Sequence, residues 1–229
     1  MKIEVLDDVD AVANEAAKVI ALAAREGAAS RGPFVMSVSG GKTPWQMLRA
    51  LAKEDVPWNA VHVVQVDERI APYGDADRNL THLHESLLEN APLRPGQIHA
   101  MPVESEDLDA AAAAYGNMLT SLCGSPAVID LVHLGLGPDG HTASLIPGDP
   151  VLSVMDRDIS MTGVYQNRRR MTLTYPIINR ARQILWLVTG ADKTGPLVQL
   201  RASDPAIPGG RVEQARATVL ADCAAAAKL

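Results

Sequence analysis

Aromatic residues are scarce in this chain. They make up 3% of its 229 residues, and Phe34 is the lone phenylalanine. Valine, leucine, isoleucine and alanine must therefore build the core. Cysteine is scarcer still: Cys123 and Cys223 cannot make a disulfide framework and lack metal-ligand spacing, so two free thiols in a reducing cytoplasm are expected. No run approaches the roughly 18 apolar residues of a membrane span, and Met1-Lys2-Ile3-Glu4-Val5-Leu6-Asp7-Asp8 turns acidic where a signal peptide would become apolar. A cytoplasmic protein without membrane partners is expected. Basic residues are not in excess either. The net charge is −6 and the pI about 5.5, which argues against a nucleic-acid binder with its necessary basic face. A small anionic substrate remains compatible, because a few local cations suffice.

What is present is apolar and alternating. A 47% hydrophobic and 21% charged composition calls for a packed core and excludes wholesale disorder. Residues 9–25 carry helical periodicity, and 34–38 form a short apolar run ending at Gly40-Gly41. A helix follows, with Thr43 expected as its N-cap and Pro44 at its first position. Residues 61–66 read as a β-branched strand, 71–78 as a loop, 79–90 and 107–122 as helices, and 128–134 as a third strand. Strand-like runs recur at 171–175, 184–189 and 217–220, with a helix over 192–202. Repeated strand–loop–helix succession predicts one α/β domain, residues 1–229, with a mostly parallel sheet covered on both faces. The irregular, charged stretch 145–170 is the candidate for a small subdomain.

In an open parallel sheet, ligands bind beyond the carboxyl ends of the strands. Unusual residues collect at four such ends. Ser39-Gly40-Gly41-Lys42-Thr43-Pro44 combines glycines with a helix start, an arrangement suited to phosphate, although a tight strand–helix turn would look the same. It matches neither GxxxxGK[ST] nor GxGxxG. Asp67-Glu68-Arg69 follows the second strand, where adjacent charges need partners if buried. The turn Gly135-Leu136-Gly137-Pro138-Asp139-Gly140-His141-Thr142-Ala143-Ser144-Leu145 presents a histidine whose ordinary pKa makes a neutral base available near pH 7. Gly190-Ala191-Asp192-Lys193 places a lysine where a helix dipole opposes it unless an anion is near. The other histidines read more simply. His82 and His84 lie two apart and make no metal pair, His62 and His133 sit inside strands as packing or surface residues, and His99 is a loop or edge residue. No HExxH, Cys/His cluster or GxSxG occurs, so no metal is expected and a serine hydrolase is unsupported.

Together these segments resemble the 6-phosphogluconolactonase family. The matching elements are Ser39–Pro44, Asp67–Arg69, Gly135–Leu145 with Pro147-Gly148, Arg170–Thr174 and Thr189–Lys193. The wider superfamily includes glucosamine-6-phosphate deaminases, which share the Gly-Gly turn, the Asp-Glu pair and the Asp-Gly-His turn. The Arg after Asp67-Glu68 and the Thr-Ala-Ser after His141 resemble the lactonase branch. The resemblance implies a Rossmann-like three-layer αβα fold and cofactor-free hydrolysis of 6-phosphoglucono-δ-lactone in the oxidative pentose phosphate pathway. It further implies His141 as general base. Asp67 either orients the imidazole or contacts substrate hydroxyls. Ser39, Gly40, Gly41, Lys42, Thr43, Arg69, Asn79, Gly140, Arg170 and Lys193 are then expected around the sugar phosphate. The family's usual Ser-Asn after the acidic loop is Arg78-Asn79 here, so position 78 has no assigned role, and its usual Phe before Pro-Gly is Ile146. The rival readings are an amino-sugar phosphate isomerase/deaminase and a non-catalytic sugar-phosphate sensor.

Overall fold

The computed structural model describes residues 1–229. Lys2–Leu6 form strand β1, an element hidden by the charged residues and half-exposure of its sequence. Asp8 then caps helix α1 (Val9–Arg31) by accepting the Ala11 N–H at 2.8 Å. Strand β2 (Phe34–Val38) leads into helix α2 (Lys42–Leu51). Here the structure corrects the expected cap. Gly41 precedes the helix, while Thr43 lies inside it and pairs its Oγ1 with that of Thr189 at 2.8 Å. Next come β3 (Val61–Gln65), β4 (Asp67–Arg69), α3 (Asn79–Leu83) with a π-helical turn over His84–Leu88, and β5 (Ile98–His99). The remaining elements are α4 (Leu108–Cys123), β6 (Leu131–Gly135), β7 (Ile159–Met161), β8 (Arg170–Leu173), α5 (Tyr175–Arg180), β9 (Gln183–Val188), α6 (Thr194–Arg201) and β10 (Ala217–Asp222).

Seven strands form one wholly parallel sheet in the order β1-β10-β9-β6-β2-β3-β5. Its inner strands β2, β3, β6, β9 and β10 are largely apolar because both faces are covered, and their side chains divide by period two. Phe34, Met36, Val61 and Val63 face a core shared with Ala16, Ile20 and Met47 of α1 and α2. Val35, Val64, Val132 and Trp186 face the other core, shared with Tyr115 and Leu119 of α4 and Leu197 of α6. This is the expected αβα layering.

The chain leaves β2 towards β3 but leaves β6 towards β9. The order of strand connection therefore reverses between β2 and β6, which puts a crevice at their carboxyl ends. His133 locks this seam. Its buried Nδ1 accepts the Ser39 N–H at 3.2 Å, and the Ser39 hydroxyl donates to the His133 carbonyl at 3.1 Å.

A second, antiparallel sheet, β4-β8-β7, stands beside the crevice. The run at 171–175, expected in the parallel sheet, belongs here instead as β8. Ile159, Met171 and Leu173 of this sheet sit in the same apolar cluster as Val64 and Val132.

Candidate active site

The β4–β8 ladder dictates which side chains meet. Asp67 lies opposite Thr172 and Arg69 opposite Arg170. With period two, Asp67 and Arg69 share one face of the ladder, and Glu68 points to the other. Two arginines directly opposite each other repel. They are tolerable where an anion or carboxylate lies between them, and Arg69 and Arg170 each keep a buried Nε without a partner.

Glu68, fully buried, is a structural anchor. Its carboxylate accepts the N–H groups of Arg69, Asn79 and Leu80 and the side-chain amide of Gln65, all at 2.8–2.9 Å. Arg78 is its counter-ion: Nε stands 3.1 Å from Glu68 Oε2, and Nη1 donates to the Ala71 carbonyl and to Glu104. The arginine at position 78 therefore neutralises a buried carboxylate rather than reaching the crevice.

Asp67 is held from two sides. The Ser144 hydroxyl donates to Oδ2 at 2.5 Å, and Asn79 Nδ2 donates to the Asp67 carbonyl at 3.0 Å and to Oδ1 at 3.3 Å. Asn79 Oδ1 in turn accepts from Arg69 Nη1 at 2.9 Å. The approach is close: a β-carbon on Gly40 would stand 1.9 Å from Asn79 Oδ1, so only glycine lets the β2 turn lie against this amide.

His141 pairs elsewhere. Its Nδ1 is 2.6 Å from Oδ1 of Asp139, and the same oxygen accepts the His141 backbone N–H at 3.1 Å. The carboxylate bonded to the imidazole is that of Asp139, two residues earlier in the same turn, whereas Asp67 is bonded to Ser144 and Asn79 and not to His141. An aspartate taking a backbone N–H two residues on is an ordinary turn signature, and that was the available sequence signal. Burial alone would raise the Asp139 carboxyl, but the charge and hydrogen bonds of His141 hold it below the usual carboxylate range. His141 Nε2 makes no hydrogen bond within the chain and the imidazole is partly exposed; in the neutral tautomer with its proton on Nδ1, Asp139 accepts that proton and Nε2 is left as an acceptor.

These groups converge. A cleft of about 230 Å³ is lined by Ser39, Gly40, Asp67, Arg69, Asn79, His141, Arg170 and Lys193, among others. Burial pulls the Arg170 guanidinium below its ordinary value, against the pull of Asp67. Lys193 sits in a 3₁₀ turn just before α6 and donates to Asp192 at 2.5 Å. Gly41, Lys42 and Thr43 line an adjoining, wider recess that shares Gly40, Gly135, Leu136 and Lys193 with the first. That recess receives the amino end of α2, which has no acidic residue in its first turn and no side-chain cap. Gly140 is the one expected contact residue that lines neither. It is buried, and its carbonyl accepts the Gly209 N–H at 2.9 Å, so it packs the turn.

The remaining histidines lie apart from this pair. His62 Nδ1 is 3.0 Å from His99 Nε2, and His82 stacks on Trp45. No three His, Cys, Asp or Glu side chains gather as metal ligands would, and no helix is long and apolar enough to cross a membrane.

A family model described as glucosamine-6-phosphate isomerases/6-phosphogluconolactonase matches residues 7–221. Among curated proteins, a 6-phosphogluconolactonase of Synechocystis sp. is 38% identical over 180 residues, covering 77% of this chain and 75% of its own. One of Nostoc sp. is 33% identical over 235 residues, covering 99% and 98%. Among solved structures, a 6-phosphogluconolactonase from Trypanosoma cruzi superposes with a TM-score of 0.88 at 26% identity, over 100% of this chain and 96% of that one.

Proposed function

Because the chain belongs to the glucosamine-6-phosphate isomerase/6-phosphogluconolactonase family, we propose that it hydrolyses 6-phosphoglucono-δ-lactone to 6-phosphogluconate. One observation carries the reading: an imidazole with a free Nε2 opens on the same cleft as Arg69, Arg170 and Lys193.

The substrate sets two tasks, holding a phosphate dianion and delivering water to an ester carbon. His141 Nε2 takes a proton from water as its oxygen attacks C1. The tetrahedral oxyanion collapses by expelling the ring oxygen, which receives that proton back from the imidazolium. Water is thereby split between the carboxyl carbon and the C5 hydroxyl, and no other reactant is needed. Asp139 keeps the imidazole in the required tautomer and orientation. The cations of the cleft answer the developing oxyanion without reorganising.

The phosphate is assigned to the side of Lys193, where the cleft meets the recess at the amino end of α2, with Ser39, Gly40, Gly41, Lys42 and Thr43 around it. The unpartnered Nε groups of Arg69 and Arg170 support an anionic ligand beside them. Asp67 and Asn79, fixed by Ser144 and Arg69, are placed to bond sugar hydroxyls.

The test is lactone consumption, corrected for spontaneous opening, by the wild type and by His141→Asn. Turnover should fall by about 10²–10⁴ with KM little changed; near-normal kcat would remove His141 from the base role. The family description also covers amino-sugar phosphate isomerases. Ammonia release from glucosamine 6-phosphate, in place of lactone consumption, would move the chain to that branch.

A further inference from the structure

Between β7 and β8 the chain makes a tight hairpin that the sequence motifs do not cover. Tyr165 and Arg168 pair across it, with N–H···O bonds of 3.0 and 3.2 Å in the two directions, and Gln166 and Asn167 between them both adopt positive φ. Such a turn costs backbone energy for residues other than glycine. The hairpin is fastened by two kinds of contact. Arg168 binds the carboxylates of Asp75 and Asp77 at 2.9–3.2 Å, and Gln166 Oε1 accepts from Arg170 Nη2 at 3.1 Å.

What this device sets beside the cleft, against the lining residues His141 and Arg170, is Tyr165. Its hydroxyl stands 3.3 Å from Oδ2 of Asp139, the oxygen that His141 does not use. Its ring meets the imidazole edge-on at a centroid distance of 5.7 Å, and the Arg170 guanidinium carbon lies 5.0 Å from the ring centroid. One side chain thus touches the orienting carboxylate, the imidazole and an anion-binding cation.

We propose that Tyr165 is a positioning residue that couples the Asp139–His141 pair to Arg170. By donating to Oδ2 it fixes the carboxylate plane, so that Oδ1 stays on Nδ1 and Nε2 stays aimed into the cleft. At 3.3 Å the bond is long for a hydroxyl donor, as such bonds often are before substrate tightens a site. By presenting its ring to the guanidinium it holds Arg170 where a cation–π contact favours it.

The two halves separate by substitution. Tyr165→Phe keeps the ring and loses the hydroxyl. It should lower kcat about three- to tenfold, the worth of one hydrogen bond, with KM unchanged. The acid limb of its kcat/KM profile should move to higher pH, because Asp139, relieved of one donor, holds a proton on His141 more strongly. The other charged groups of the cleft, Asp67, Arg69, Arg170 and Lys193, are unaltered in that variant. Tyr165→Leu loses the ring as well and should raise KM in addition. A merely structural role would move neither the pH limb nor this split. Wild-type kcat and pH profile in Tyr165→Phe would overturn the carboxylate half, and equal KM in the two variants would overturn the Arg170 half. The proposal rests on His141 as the base. If that reading fails, His141→Asn stays active; if only this one fails, His141→Asn is crippled while Tyr165→Phe behaves as wild type.

Discussion

A β-carbon on Gly137 would stand 2.1 Å from His141 Nδ1 and 2.7 Å from Asp139 Oδ1. The backbone of the turn lies directly beneath the proposed catalytic pair, and only a hydrogen fits between them. Gly137→Ala therefore has one inexpensive escape, which is to rotate the imidazole away from Asp139. The fold should survive, with a melting temperature within a few degrees of wild type, because the displaced atoms belong to a partly exposed side chain. Catalysis should not survive it: a misplacement of about 1 Å can cost 10²-fold, so kcat should fall about a hundredfold. Circular dichroism melts beside lactone kinetics would check this, and a fully active variant would show that the pair tolerates displacement. His141 itself was legible from the sequence, because a histidine in a glycine-rich turn at a strand end has few packing explanations. Its partner was not singled out, because Asp67 and Asp139 are equally plausible carboxylates until the β4–β8 ladder commits Asp67 to Ser144 and Asn79.

At the scale of elements, Glu68 and Arg78 join β4 to the start of α3. The pair is buried, 0% and 3% exposed, so removing one partner leaves an uncompensated charge. Arg78→Met should destabilise the chain by about 3 kcal/mol, the low end for a broken buried pair, because four other donors still hold the carboxylate. Adding Glu68→Gln should not recover that loss, because Oε1 accepts from Arg69 and Asn79 and Oε2 from Gln65 and Leu80, and an amide nitrogen in either place would leave two buried N–H groups unpaired. Urea unfolding of both variants is the measurement, and a single variant as stable as wild type would mean that Arg78 carries little of the balance. The inner parallel strands and the α1, α2 and α4 helices were readable because burial on both faces makes a short apolar run of a strand and burial of one face imposes period 3.6 on a helix. β1, β5 and the small β4-β8-β7 sheet were not readable as such. β4, β5, β7 and β8 are only two to four residues long, too short for a pattern to emerge; β1, as long as β2, lies half-exposed at the sheet edge with charged residues among its apolar ones, and β8 looks like any apolar strand until its antiparallel partner is known.

For the molecule as a whole, the site follows from the reversal of strand order between β2 and β6, and both turns at that seam stood out in the sequence through their glycines. What the sequence did not show is how the seam is closed. His133, read as a packing or surface residue, is fully buried there and accepts the Ser39 N–H. Burial pushes its imidazole from the ordinary 6.5 down to about 3. The unfolded chain therefore takes up a proton near pH 6.5 that the folded chain refuses until about pH 3. This contribution to stability is complete above pH 6.5 and is lost progressively as the pH falls towards 3, with a slope approaching about 1.4 kcal/mol per pH unit. His133→Asn keeps an acceptor for Ser39 without a group that titrates. Its loss of unfolding free energy between pH 6.5 and pH 4.5 should be smaller than the wild-type loss by roughly 2 kcal/mol. Denaturant unfolding at the two pH values decides the matter. An acid sensitivity identical to wild type would mean that the seam opens to admit the proton, and that the crevice holding His141, Arg170 and Lys193 is less firmly built than its hydrogen bonds imply.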